Sequence, residues 1–368
     1  MRVKELLQRA LSTSRLAQAY LFSGPEGVGK EAAAIELAKT VNCRGKAAEA
    51  CDGCPDCVKF RTLQHPNVHL IFPMPLGKNE GPGDGPVDKL SRETIGLLQA
   101  QIRLKAENPY HTILLPDTNT IKVASIREVR RVSSMTAYGG GRKVFIIMSA
   151  DMMNPESSNA LLKTLEEPHE DTLFILTTER PDDLLATVTS RCQQIRFDRL
   201  SEEEIARALG EREGVDRERS GLIARVANGS YERARSLVSS GTDERRDEAV
   251  EFLRTALYRP RAELLRSIEE IASRDERQEI EEFLSLLMTW LRDAMLLGES
   301  PGAVINSDNT DALLKFSLVN PALRYDELFA AIERSISLLN KNVYIPLILQ
   351  DLALRMRGII IQPKGLAR

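Results

Sequence analysis

The chain of 368 residues has no apolar run long enough to cross a bilayer, no marked excess of one charge and no visible internal repeat. Its most apolar late stretch, FLSLLMTWLRDAMLL, is broken by Arg292 and Asp293 and falls short of the ~20 residues a membrane helix needs, which excludes a spanning helix there. The N-terminal segment carries Arg9 and Arg15 inside its apolar pattern, so it lacks the uncharged core of a signal peptide and reads as an amphipathic helix; a cytoplasmic protein is expected. A net charge of -3 selects no class of partner, and any nucleic-acid surface has to be local. What is present, 42% hydrophobic and 28% charged residues, is the composition of a soluble globular protein, and the length suggests two or three domains.

From Ala19 to Asp198 short apolar runs alternate with helical patterns. AYLFSG, VHLIFP, KVFIIMSA, TLFILTT and QQIRF read as buried strands of a parallel sheet, which makes residues 1–198 an α/β domain. A helix is marked between Asn154, a capping residue followed by Pro155, and Pro168. Residues of about 73–119 begin as a loop rich in Gly and Pro, continue as a helical stretch and read as an insertion to which the sequence assigns no role. After Asp198 strand patterns stop. Ser201 and Glu204 have capping-box spacing, and helices continue to the C-terminus, divided near VSSGTDERRDE into a small module, 199–240, and a larger all-α domain, 241–368.

Gly24, Gly27, Gly29 and Lys30 lie between a strand and a helix with the spacing of a phosphate loop, whose backbone N–H groups and lysine surround phosphates. The motif lacks its next residue. Where Ser or Thr would offer a hydroxyl to Mg²⁺ stands Glu31, which brings a carboxylate beside the phosphates. The strand that should end in Asp-Glu ends in Met148 and Ser149, with Asp151 three residues beyond Met148. Losing the hydroxyl and both carboxylates removes metal binding and general-base positioning, so productive ATP hydrolysis is not expected.

Four of the five cysteines, Cys43, Cys51, Cys54 and Cys57, follow C-x7-C-x2-C-x2-C, a spacing that lets four thiolates converge on a tetrahedral ion. A structural Zn²⁺ site is expected, with unligated or disulfide cysteines and an Fe–S cluster as alternatives. Cys192 reads as a small buried residue.

The phosphate-like loop, the cysteine module after its helix, SSNALLKTLEEP, the strand ending in Thr177 and Thr178, and the triplet Ser190-Arg191-Cys192 follow one another in this order. Up to about residue 240 the chain resembles the delta-prime family of bacterial DNA polymerase III clamp-loader subunits, which are AAA+ proteins. The resemblance implies a RecA-like α/β domain bearing the zinc module, a helical lid and a helical collar in a ring with gamma/tau and delta subunits. It further implies that Thr177 and Thr178 border the chain's own nucleotide site, and that Arg191 reaches a neighbour's ATP in trans as an arginine finger. The sliding clamp and primer–template DNA are the implied partners of the ring. The lid segment NGSYERARSL carries Glu232 where ATP-hydrolysing members have Arg, with Arg233 one position later. With Glu31, Met148 and Ser149, this departure points to a non-hydrolysing subunit. The alternatives are a gamma/tau-like motor using Glu31 as an unusual magnesium ligand, and a zinc-containing DNA-binding scaffold outside the loader. Lys122, Arg127, Arg130, Arg131, Arg142 and Lys143, opposed only by Glu128, form a basic stretch suited to DNA phosphates or to a solvated helix face.

Overall fold

The structure, a computed structural model, describes residues 2–361 apart from 14, 46, 82, 117, 119, 240, 241, 275, 276, 298–303, 305, 307, 308, 322, 341 and 342. The described chain forms two compact units, Met1–Leu200 with Gly229–Glu232, and Ser201–Asn228 with Arg233–Arg368.

The first unit is built on α1 (Arg2–Ser12), β1 (Ala19–Ser23), α2 (Lys30–Asn42), α3 (Pro55–Phe60), β2 (Val68–Ile71), α4 (Arg92–Glu107), α5 (Val123–Ser133), β3 (Lys143–Ile147), α6 (Pro155–Glu166), β4 (Thr172–Thr178), α7 (Ala186–Thr189) and β5 (Gln193–Arg196). The five strands pair in parallel in the order β2-β3-β4-β1-β5. Every residue of β3 and β4 is buried, because helices cover both faces and alternate side chains must be apolar on each. Tyr20, Phe22, Val144, Ile146, Leu173 and Ile175 pack with α1, α2 and α4 on one face; Leu21, Phe145, Ile147, Phe174 and Leu176 pack with α5, α6 and α7 on the other. The expected α6 has its expected start: Asn154 Oδ1 accepts the Ser157 N–H at 2.8 Å, and Pro155 occupies the first turn. The expected insertion holds one long helix, α4, capped by Ser91.

The second unit is helical throughout: α8 (Glu202–Glu213), α9 (Arg217–Ala227), most of α10 (Tyr231–Ser239), α11 (Thr242–Tyr258), α12 (Arg261–Arg274), α13 (Arg277–Leu296), α14 (Thr310–Val319), α15 (Tyr325–Asn340) and α16 (Ile345–Ile361). The capping box at the head of α8 is formed in both directions between Ser201 and Glu204. Its core includes the edge-on pairs Phe252–Phe283 and Trp290–Phe316. No helix among the described residues is long and apolar enough to cross a membrane.

Candidate functional site

β1 delivers the phosphate loop to the end of the sheet where parallel strands place ligand sites. Ser23 is level with Thr178 on the neighbouring β4, and the Gly24 N–H donates to the Thr178 carbonyl at 3.2 Å. Register alone therefore brings Thr177 and Thr178 beside Gly24, Gly27, Gly29 and Lys30. The backbone requires glycine at Gly27 and Gly29. Gly27, at φ 70°, accepts from the N–H groups of Tyr231 and Glu232 and leaves no room for a Cβ against Ser230 Oγ; Gly29, at φ 93°, precedes α2.

The interior of this loop is filled. Only about 50 Å³ remain among Glu26, Gly27, Gly29, Lys30, Glu31, Tyr110, Thr112, Ser149, Thr177, Thr178, Glu179 and Glu232, well under the ~300 Å³ of ordinary small-molecule sites. The Lys30 Nζ donates to the carbonyls of Gly24 at 2.8 Å and Pro25 at 2.6 Å, closing on its own loop. Burial lowers the Lys30 pKa, against the opposing charges of Glu179, Glu31, Glu26 and Glu232.

The filling comes from the insertion. Lys105, at the end of α4, is fully buried, forms an ion pair with Glu31 and donates to the His111 carbonyl at 2.6 Å. The ring of Tyr110 stands 3.1 Å from where a Cβ on Gly29 would lie and meets Tyr231 edge-on. The Thr112 hydroxyl donates to Glu232 Oε1 at 3.1 Å. The expectation that Glu31 presents its charge to phosphates is thus corrected: Lys105 neutralises it from the insertion, a segment expected to have no assigned role. Lys105 shares a stripe with Leu98 and Ile102 on α4, the one local trace of its inward orientation.

Glu179, which the sequence reading passed over, is pushed up to about 6 by burial, with Glu26 adding to the effect and Lys30 opposing it. Glu232 is pushed up to about 7, again first by burial and then by Glu26. At the end of β3, Met148 is buried in the core and only Ser149, at φ 51°, faces the cavity. Asp151 does not line the cavity: its carboxylate accepts from Thr178 Oγ1 at 2.7 Å and from Arg180 Nη2 at 2.9 Å.

The four cysteines converge. Cys43, Cys51, Cys54 and Cys57 have their Sγ atoms within 4.8 Å of one another, near the ~3.8 Å separation that a tetrahedron of 2.3 Å Zn–S bonds requires. Backbone N–H groups of Gly45 and Cys51 point at Cys43 Sγ, that of Cys54 at Cys51 Sγ and that of Cys57 at Cys54 Sγ, at 3.3–3.4 Å. Such donors favour thiolates. They hold Cys54 down to about 6, while burial pushes Cys57 up to about 12. This donor set could hold one tetrahedral metal ion. Cys192 is buried apart from them, its thiol pushed up to about 11 by that burial.

Arg191 lies away from the phosphate loop. It follows α7 and precedes β5, the edge strand next to β1, whose Gln193 is level with Tyr20, so it sits at the opposite, N-terminal end of the strands, about six residues or ~20 Å of strand from Gly24. Its guanidinium is exposed, donating to Glu166 Oε1 at 2.6 Å and to the Thr187 carbonyl at 2.8 Å.

The basic stretch is only partly a surface. Lys122 is buried and donates to Glu80 at 2.6 Å; Lys143 is buried and donates to the carbonyls of Val132, Ser133 and Met135 where α5 ends. Neither is available to phosphates. Arg127, Arg130 and Arg131 are exposed and Arg142 half-buried, with Arg127 and Arg131 paired to Glu156 and Glu128.

Residues 1–201 match the family described as DNA polymerase III, delta subunit. The chain is 32% identical over 227 residues to DNA polymerase III subunit delta' of Bacillus subtilis, covering 62% of this chain and 56% of that protein. It is 32% identical over 246 residues to subunit delta' of Pseudomonas aeruginosa, covering 66% and 62%. Subunit tau of Bacillus subtilis is 28% identical over 255 residues, covering 68% and 36%. The matched part therefore spans about three-fifths of the length of the two delta' relatives. Among solved structures, a DNA polymerase III gamma-subunit-related protein from Thermotoga maritima aligns over 97% of this chain and 99% of its own, at 15% identity and a TM-score of 0.48. With the family match extending over more than half of its residues, the chain belongs to the DNA polymerase III delta subunit family and is a delta'-like member of the clamp-loader subunits.

Proposed function

We propose that the chain is a non-hydrolysing subunit of the DNA polymerase III clamp loader, standing in a ring with gamma/tau and delta subunits and donating Arg191 in trans to a neighbour's ATP. The observation that carries this reading is the position of Arg191, exposed at the start of the edge strand β5, at the end of the strands away from its own phosphate loop. An arginine there has no access to a nucleotide held by Gly24 to Lys30, yet it suits a γ-phosphate presented by an adjacent subunit, where a guanidinium stabilises developing charge. The filled phosphate loop supports the other half of the reading, and the pairing of Glu31 with Lys105 speaks against Glu31 as a magnesium ligand of a motor.

On this reading residues 199–240 serve as lid and 241–368 as collar, and the four cysteines hold a structural Zn²⁺. The ring loads the sliding clamp on primed DNA, with Arg127, Arg130, Arg131 and Arg142 as the candidate DNA contacts. The test is reconstitution with the other subunits, clamp and primed DNA. Arg191→Ala is expected to lower ATP turnover at the one site it completes by about 10³-fold or more, and clamp loading with it. Unchanged loading and turnover would remove the finger role.

A further inference from the structure

We propose that the insertion is a built-in occupant of the phosphate loop, holding it in one nucleotide-independent arrangement that excludes nucleoside di- and triphosphates. This rests on the non-hydrolysing reading and deepens it, since a loop can lose hydrolysis and still bind.

Three contacts stand in for a bound nucleotide. A P-loop helix normally begins with a lysine and a hydroxyl, the one facing phosphate and the other facing Mg²⁺. Here the hydroxyl's position carries Glu31, and the Lys105 ammonium, fully buried, supplies a fixed cation on that side. Tyr110 lies against Gly29, where a phosphate would approach the backbone N–H groups. Thr112 fastens the same segment to Glu232, while the Gly27 carbonyl takes the N–H groups of Tyr231 and Glu232. The Lys30 ammonium is turned onto the loop itself and is satisfied by the carbonyls of Gly24 and Pro25.

Charge acts in the same direction. Beside the Glu31–Lys105 pair, Glu26, Glu179 and Glu232 border the remaining space, with Lys30 opposing them. A polyphosphate would have to displace Tyr110, break the Glu31–Lys105 pair and enter among carboxylates. Burying an unpaired charge costs far more than an exposed one, so these contacts oppose entry together.

The experiment measures binding of Mg-ADP to the full chain by fluorescence of an N-methylanthraniloyl-labelled probe, for wild type, Tyr110→Gly and Tyr110→Gly/Lys105→Ala/Glu31→Thr. Wild type is expected to show no saturable binding and the triple variant at least about tenfold tighter binding. Wild-type binding as tight as that of the variants, or folded variants that bind no better than wild type, would overturn the proposal. Hydrogen exchange at the amides of Gly27–Glu31 gives a second reading in Tyr110→Gly alone: protection must fall, and unchanged protection overturns the plug. Because the isolated chain is used, the result is independent of whether Arg191 acts on a neighbour.

Discussion

The guanidinium of Arg191 is held 2.6 Å from Glu166 Oε1, joining the end of α6 to the second residue after α7. An exposed pair of this kind contributes about 1 kcal/mol or less to stability, so its importance lies in aiming a long side chain. In a reconstituted loader Glu166→Gln is expected to lower ATP turnover about two- to fivefold, the equivalent of that energy. In an Arg191→Ala background it should cost nothing more. An additive loss in the double variant would mean that Glu166 acts independently of the arginine.

The raised pKa of Glu232 makes stability depend on pH. Its carboxyl holds a proton more tightly in the folded chain than in the unfolded one, so the stabilisation is complete below about pH 4.5 and is lost as pH rises through about 7. At 1.36 kcal/mol per unit the full swing is up to about 3 kcal/mol. Urea unfolding at a series of pH values should show this decline in wild type and a flatter profile in Glu232→Gln, the variant being the more stable at pH 8. Identical profiles would contradict the assignment. Glu179, raised to about 6, adds a smaller decline of the same sign.

Removing Lys105 leaves Glu31 enclosed without its cation. Lys105→Met is expected to cost about 3 kcal/mol, as for one-sided breakage of a buried pair. Adding Glu31→Thr should restore much of the loss, because the unpaired charge is gone. Chemical denaturation of the two single variants and the double variant provides the cycle, and strict additivity would show that the residues do not interact.

One equivalent of zinc is expected by elemental analysis, and none in Cys51→Ser/Cys54→Ser. Metal loss should lower the melting temperature and increase proteolysis within residues 43–60, where the four cysteines come together. A wild-type chain purified metal-free with the same melting temperature would count against a structural ion.

The sheet was readable because buried parallel strands are nearly uniform in apolarity, as in KVFII and TLFILTT, and because Asn154 and Ser201 announce their helices by local chemistry. The four cysteines were readable through spacing. The filling of the phosphate loop was not. Lys105 and Glu31 are 74 residues apart and meet only after α4 has docked, a relation with no local periodicity to betray it. The charges at Lys122 and Lys143 misled for a related reason: composition counts them as surface, whereas the wholly buried β3 and the open carbonyls at the end of α5 draw Lys143 inward.

α2 begins at Lys30 and ends at Asn42, immediately before Cys43, whose N–H donates to the Thr40 carbonyl. Its 13 residues make a rod of about 20 Å with the glycine-rich turn at one tip and the thiolates at the other. A helix of that length transmits axial displacement more readily than it bends. With an ion held by its four cysteines, that module would tether the far end of a lever whose near end carries the Glu31–Lys105 pair, and extracting such an ion should slacken the turn without touching any residue of it.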